Sequence, residues 1–88
     1  MISAVDRKHI VELARKYGAK KVLLFGSAAT RTEARDIDLA VQGIPPSRFF
    51  RFYGELIYSL SKPVDVVDLD SDTPFAQMAA EEGIPVYG

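Results

Sequence analysis

Apolar positions along the chain follow two spacings in turn, one helical and one of short buried strands. Val5, Ile10, Leu13, Ala14 and Tyr17 recur at mostly three- and four-residue steps and stop at Gly18, which predicts a first helix. Ser3, with Asp6 three residues on, resembles a capping box at its start, with Asp in place of Glu. Lys21-Val22-Leu23-Leu24-Phe25 is a β-branched and aromatic run closed by Gly26, the pattern of a buried strand. A second strand is expected from about 37 to 42, stopped by Gly43-Ile44-Pro45-Pro46. From Ser47 to Ser61, Phe49, Phe52, Tyr53, Leu56, Ile57 and Leu60 trace one face of a second amphipathic helix, with Ser47 as its cap. A third strand follows at 64 to 69. Ser71-Asp72-Thr73-Pro74 then opens a helix that Gly83 ends, and Ile84-Pro85-Val86-Tyr87 reads as a short edge strand, where proline is tolerated.

The connections constrain how these elements assemble. About ten residues separate the first two strands, too few for a comfortable parallel crossover, so they are expected to be antiparallel. Roughly twenty residues containing a helix join the second strand to the third, which suits a parallel right-handed crossover. The expected fold is therefore α/β (α+β), a mixed β-sheet flanked by helices in the order α-β-(α)-β-α-β-α-β. The bracketed helix stands for a single turn after Gly26-Ser27.

This topology gathers chemistry at one end of the sheet. Gly26 and Ser27 open a turn in which a backbone without Cβ can approach a bulky anion and present N–H groups and a hydroxyl to phosphate oxygens. Asp36 and Asp38 stand two apart at the start of the second strand, so both carboxylates project from one face while Ile37, Leu39 and Val41 turn to the core. Adjacent carboxylates repel, and a hard, oxygen-seeking divalent cation relieves the repulsion. A two-metal clamp on a phosphoryl group calls for a third carboxylate. Asp65, at the start of the third strand and level with Asp38, is the choice, with Asp68 in reserve.

Composition narrows the picture further. Eighty-eight residues, 48% of them hydrophobic, are expected to form one globular domain spanning 1–88. No apolar run approaches the roughly 18 residues of a bilayer span and no signal-peptide pattern opens the chain, so a cytoplasmic protein without membrane contact is expected. Without cysteine there is neither a disulfide framework nor a thiolate zinc site, which favours Mg²⁺ or Mn²⁺. The net charge of −1 gives no basis for broad nucleic-acid binding. Charge is nonetheless uneven: residues 1–35 hold eight Lys/Arg and three acids, residues 36–88 three and nine. The single histidine, His9, lies among charged residues of the first helix and reads as a surface or boundary residue. Asp68, Asp70 and Asp72 read as a loop with a helix cap. Phe50 and Tyr58, on a different stripe of the second helix from its core face, suggest, if exposed, an apolar patch for a partner or for a second copy in a homo-oligomer.

Leu24-Phe25-Gly26-Ser27, Asp36-Ile37-Asp38-Leu39 and Val64-Asp65-Val66-Val67, in that order, resemble the hallmarks of the minimal nucleotidyltransferase domains of the DNA polymerase beta superfamily. The closing Glu82-Gly83-Ile84-Pro85-Val86-Tyr87 is similar to the family's last segment. The resemblance implies Mg²⁺-dependent transfer of a nucleoside monophosphate from ATP or another nucleoside triphosphate to an acceptor hydroxyl, with release of pyrophosphate. It implies that Asp36 and Asp38 hold two ions, that Asp65 holds the catalytic one and helps deprotonate the acceptor, and that Gly26 and Ser27 bind the β- and γ-phosphates. It also implies a setting, the antitoxin half of a two-protein module whose partner is a HEPN-domain toxin. The chain departs from the family in the spacer. Ala28-Ala29-Thr30 follow Gly-Ser where an arginine is usual, and Arg31 or Arg35 is left to supply the missing positive charge. That departure is the best support for an alternative, a partner-binding module of the same fold with a weak site. A phosphatase reading of Asp36-Ile37-Asp38-Leu39-Ala40 fails, because Asp36 follows a loop rather than ending a strand and the chain is short for that class.

Overall fold

The computed structural model describes residues 2–26 and 35–88. In these residues the elements are α1 (Ala4–Tyr17), β1 (Lys21–Phe25), β2 (Ile37–Gln42), α2 (Pro46–Ser59), β3 (Val64–Asp68), α3 (Pro74–Glu82) and β4 (Ile84–Tyr87). The strands form one mixed sheet in the order β3-β2-β1-β4. β1 and β2 are antiparallel and β2 and β3 parallel, as the connection lengths predict, and β4 pairs antiparallel with the free side of β1. The helical turn anticipated after Gly26-Ser27 lies outside the described residues.

Local chemistry sets the helix limits. Ser3 Oγ accepts the Asp6 N–H at 3.1 Å, satisfying one of the orphan donors of α1, and Gly18 ends the helix in the left-handed region at φ 74°. Ile10, Leu13, Ala14 and Tyr17 form its buried stripe, whereas Val5, expected on that stripe, is 64% exposed. The predicted cap of α2 is corrected. Pro45, extended, precedes Pro46 at the first helical turn, and no side chain caps the helix, so Ser47 already lies inside it. Proline needs no cap for an N–H it does not have, and its fixed φ starts the helix earlier than a serine signal indicates. α2 also ends at Ser59, with Leu60 as C-cap, rather than at Ser61. In α3, Thr73 Oγ1 accepts the Ala76 N–H at 3.1 Å ahead of Pro74.

The two faces of the sheet differ. α1 and α2 cover one face, where Ile10, Tyr17, Val22, Leu24, Ile37, Leu39, Val41, Phe52 and Leu56 form the main core. The Tyr17 and Phe52 rings meet edge-to-face at 5.6 Å. The other face carries a smaller cluster of Leu23, Phe25, Ala40 and Ala79 with Val67 and Leu69 alongside, so the short α3 covers it. Asp38 alternates with Ala40, and Asp65 with Val67. Both aspartates therefore stand on this second, thinly covered face, just beyond its apolar cluster.

Candidate active site

Three strand registers position the site. Asp38 is paired with Asp65 across the parallel β2–β3 ladder and with Phe25 across the antiparallel β2–β1 ladder. Neighbouring strands lie about 4.8 Å apart, so the two aspartates are immediate neighbours on one face. Gly26 follows Phe25 directly at φ 71°, and a Cβ there would collide with Asp38 Oδ2. Glycine is required on two grounds, the left-handed backbone and the carboxylate packed against it. Asp36 lies in the bend before β2, exposed, with the exposed Arg35 ahead of it.

The electrostatics agree with this placement. The Asp38 carboxyl is raised above its ordinary value, first by partial burial and then by the negative charges of Asp65 and Asp36. The charges of Asp65 and Asp36 thus both act on Asp38, although among the described residues no three His, Cys, Asp or Glu side chains close into a ready metal cage. The donor set, oxygen only and mutually repelling, fits a hard divalent cation.

One neighbour of the site escaped the sequence pattern. Tyr53 belongs by spacing to the core stripe of α2, but its hydroxyl reaches past the edge strand β3 to Val64 O at 3.2 Å and Asp65 Oδ1 at 3.3 Å. Burial is the largest influence on this phenol and raises it, and the Asp65 charge pushes the same way, so Tyr53 stays a neutral donor at physiological pH. The only signal available in the sequence was a tyrosine, rather than a phenylalanine, on an otherwise apolar stripe.

Asp68, the reserve candidate, is at the wrong end. It pairs with Val41, three residues or roughly 10 Å along the ladder from Asp38, and its Oδ1 accepts the Asp70 N–H in a local turn. Asp70 in turn accepts the Gly43 N–H at 3.0 Å. The acidic cluster is loop structure, as expected, with Thr73 rather than an aspartate as the helix cap. His9 is half-buried on α1. Ser27 and Arg31, the remaining predicted nucleotide-binding residues, lie outside the described residues.

A sheet of this topology with two in-register aspartates at its end defines a class. The family described as "Polymerase beta, Nucleotidyltransferase" matches residues 8–88. The chain belongs to that family and is a nucleotidyltransferase. A search of curated proteins finds no significant match. Solved structures similar to it include a toxin–antitoxin with AMP-PNP, at 28% identity and TM-score 0.76 over 93% of this chain and 73% of the other. Another is a complex of a tri-AMPylated Shewanella oneidensis HEPN toxin with an MNT antitoxin, at 26% identity and TM-score 0.72 over 94% and 70%. The toxin–antitoxin MntA-HepT, at 24% identity and TM-score 0.74 over 98% and 73%, shares the fold. Among the described residues no helix is long and apolar enough to cross a membrane.

Proposed function

We propose that the chain transfers AMP from ATP to a hydroxyl of a protein partner, as the antitoxin of a HEPN/MNT-type module in the cytoplasm. The observation that carries this reading is the Asp38–Asp65 pair with the Gly26 backbone packed against it. Two similar structures support the context, one holding AMP-PNP and one an AMPylated HEPN toxin.

In this mechanism Asp36 and Asp38 would hold two divalent ions, Mg²⁺ or Mn²⁺, and Asp65 would be a further ligand to one of them. When bound, the ions neutralise triphosphate charge and polarise the phosphorus under attack. Every other contribution comes from the chain. Gly26 leaves room for the Asp38 carboxylate, its backbone faces the β- and γ-phosphates, and Ser27, Arg31 and Arg35 contribute hydroxyl and positive charge to them. The acceptor oxygen forms a bond to the α-phosphorus while the bond from that phosphorus to the α–β bridging oxygen breaks. Pyrophosphate leaves, and the hydroxyl proton passes to the Asp65 carboxylate. Tyr53 positions Asp65 by donating to Oδ1. Rate enhancement then rests on positioning and charge neutralisation, as in other phosphoryl transfers.

The test is incubation of the protein with Mg²⁺, ATP labelled at the α-phosphate and the HEPN-domain protein encoded beside it, with Asp36→Asn/Asp38→Asn as control. Label on the partner, absent in the control, is the expected result. Tight complex formation without label would establish the partner-binding alternative instead.

A further inference from the structure

We infer that the flank of α2 bordering β3 is the docking surface for the acceptor protein, and that it delivers the acceptor hydroxyl to Asp65; the inference rests on the transferase reading above. Phe50, Tyr53 and Ile57 stand at i, i+3 and i+7, so they line one side of the helix. Tyr53 ties that side to the carboxylate through its 3.3 Å contact with Asp65 Oδ1. The neighbouring rings continue outward from it, Tyr53 to Phe49 at 6.5 Å and Phe49 to Phe50 at 6.2 Å. Beyond them Phe50 is 82% exposed and Ile57 60%, whereas Tyr58, 93% exposed, shares the stripe of Arg51, seven residues before it. The opposite flank of α2 differs in kind. There Lys16 meets Glu55 at 2.9 Å and Arg48 lies 4.8 Å over the Tyr17 ring, which closes that side against α1. The apolar surface therefore runs toward the site, and β3 beside it is an edge strand.

Area and charge identify the occupant. Phe50 and Ile57 together offer on the order of 300 Å² of the ~800 Å² that each side of a specific protein interface covers, and Tyr53 and the β3 edge adjoin them to supply more. A nucleic-acid acceptor is a poor match, since this flank is apolar and the cations of α2, Arg48 and Arg51, lie on its other side near Tyr17 and Glu55. A second copy seated on this flank would cover the approach to Asp65 beside Tyr53, so a homodimer through it is the competing outcome of the test. A protein with an apolar patch beside a Ser, Thr or Tyr hydroxyl fits both the surface and the chemistry.

Phe50→Ser/Ile57→Ser tests this in the labelled-ATP reaction with the HEPN-domain protein as probe. Both side chains are exposed, so the melting temperature and its shift with Mg·ATP should match the wild type. Transfer to the partner should fall at least about tenfold, and complex formation should weaken with it. Arg51→Ser, on the charged flank, should transfer like the wild type. Transfer that survives the double substitution overturns the inference, as does a wild-type homodimer that the substitution dissociates with transfer intact. Absence of transfer by the wild type is a different result: it removes the transferase reading and this inference with it.

Discussion

Without a bound cation, Asp38 should cost the fold stability. Its folded-state pKa lies above the ordinary value of 3.8, through partial burial first and the Asp65 and Asp36 charges second. The carboxyl is therefore at ease below pH 3.8, where it is protonated in both folded and unfolded chains, and becomes a liability as pH rises through the raised value. Asp38→Asn should melt higher than the wild type at neutral pH in metal-free buffer. The gain should be less than about 1 kcal/mol because the group is partly solvated, and it should vanish below pH 3.8. Melting curves of both proteins from pH 3 to 7 check this, and an equal difference at every pH would contradict it. The pairing of Asp38 with Asp65 is legible in sequence, because two short strands joined by a crossover put matching positions level. Tyr53 is not legible in the same way. Helical spacing marks it as apolar-facing and says nothing of where its hydroxyl ends.

At the scale of elements, the joint between α1 and the α2–β3 connection depends on one buried acid. Asp6, read from sequence as a capping partner, is only 3% exposed. Its Oδ1 accepts the Ser61 N–H at 3.0 Å and its Oδ2 the Ser61 hydroxyl at 2.6 Å. The first half of the capping box forms, while the carboxylate is spent on a residue 55 positions away. Asp6→Ala leaves the Ser61 N–H without that acceptor and should cost about 2 kcal/mol. Urea unfolding checks the value, and a loss within a few tenths of a kcal/mol would show that the joint is held elsewhere. A second clasp between the same helices joins Glu55 to Lys16 and to the Tyr17 hydroxyl. The hydrogen bond from Tyr17, and next that from Lys16, hold the Glu55 carboxyl below its ordinary range. The periodicity that located α2 also overreached at its margin. Ile57 fits the stripe yet faces solvent, because a 3.6-residue spacing gives the centre of a buried arc and not its edges.

For the molecule as a whole, the site should act as a ligand-dependent clamp. Gly26, Asp38 and Asp65 come from three adjacent strands, so a ligand bridging them binds the folded chain and not the unfolded one. Mg·ATP at a hundred times its dissociation constant should add about 2.7 kcal/mol of stability. A melting series in Mg·ATP should therefore rise for the wild type and stay flat for Asp36→Asn/Asp38→Asn; equal rises would place the nucleotide elsewhere. Legible in the sequence were the element order, the antiparallel β1–β2 and parallel β2–β3 pairings, and the end of the sheet where glycine and carboxylates meet. These follow from short-range periodicity, turn residues and the limits that connection length puts on a chain. The fold alone shows that Asp6 belongs to Ser61, that Tyr53 belongs to Asp65, and that Ile57 is left in water. Each of these depends on which surfaces residues distant in sequence present to one another, and no local spacing carries that information.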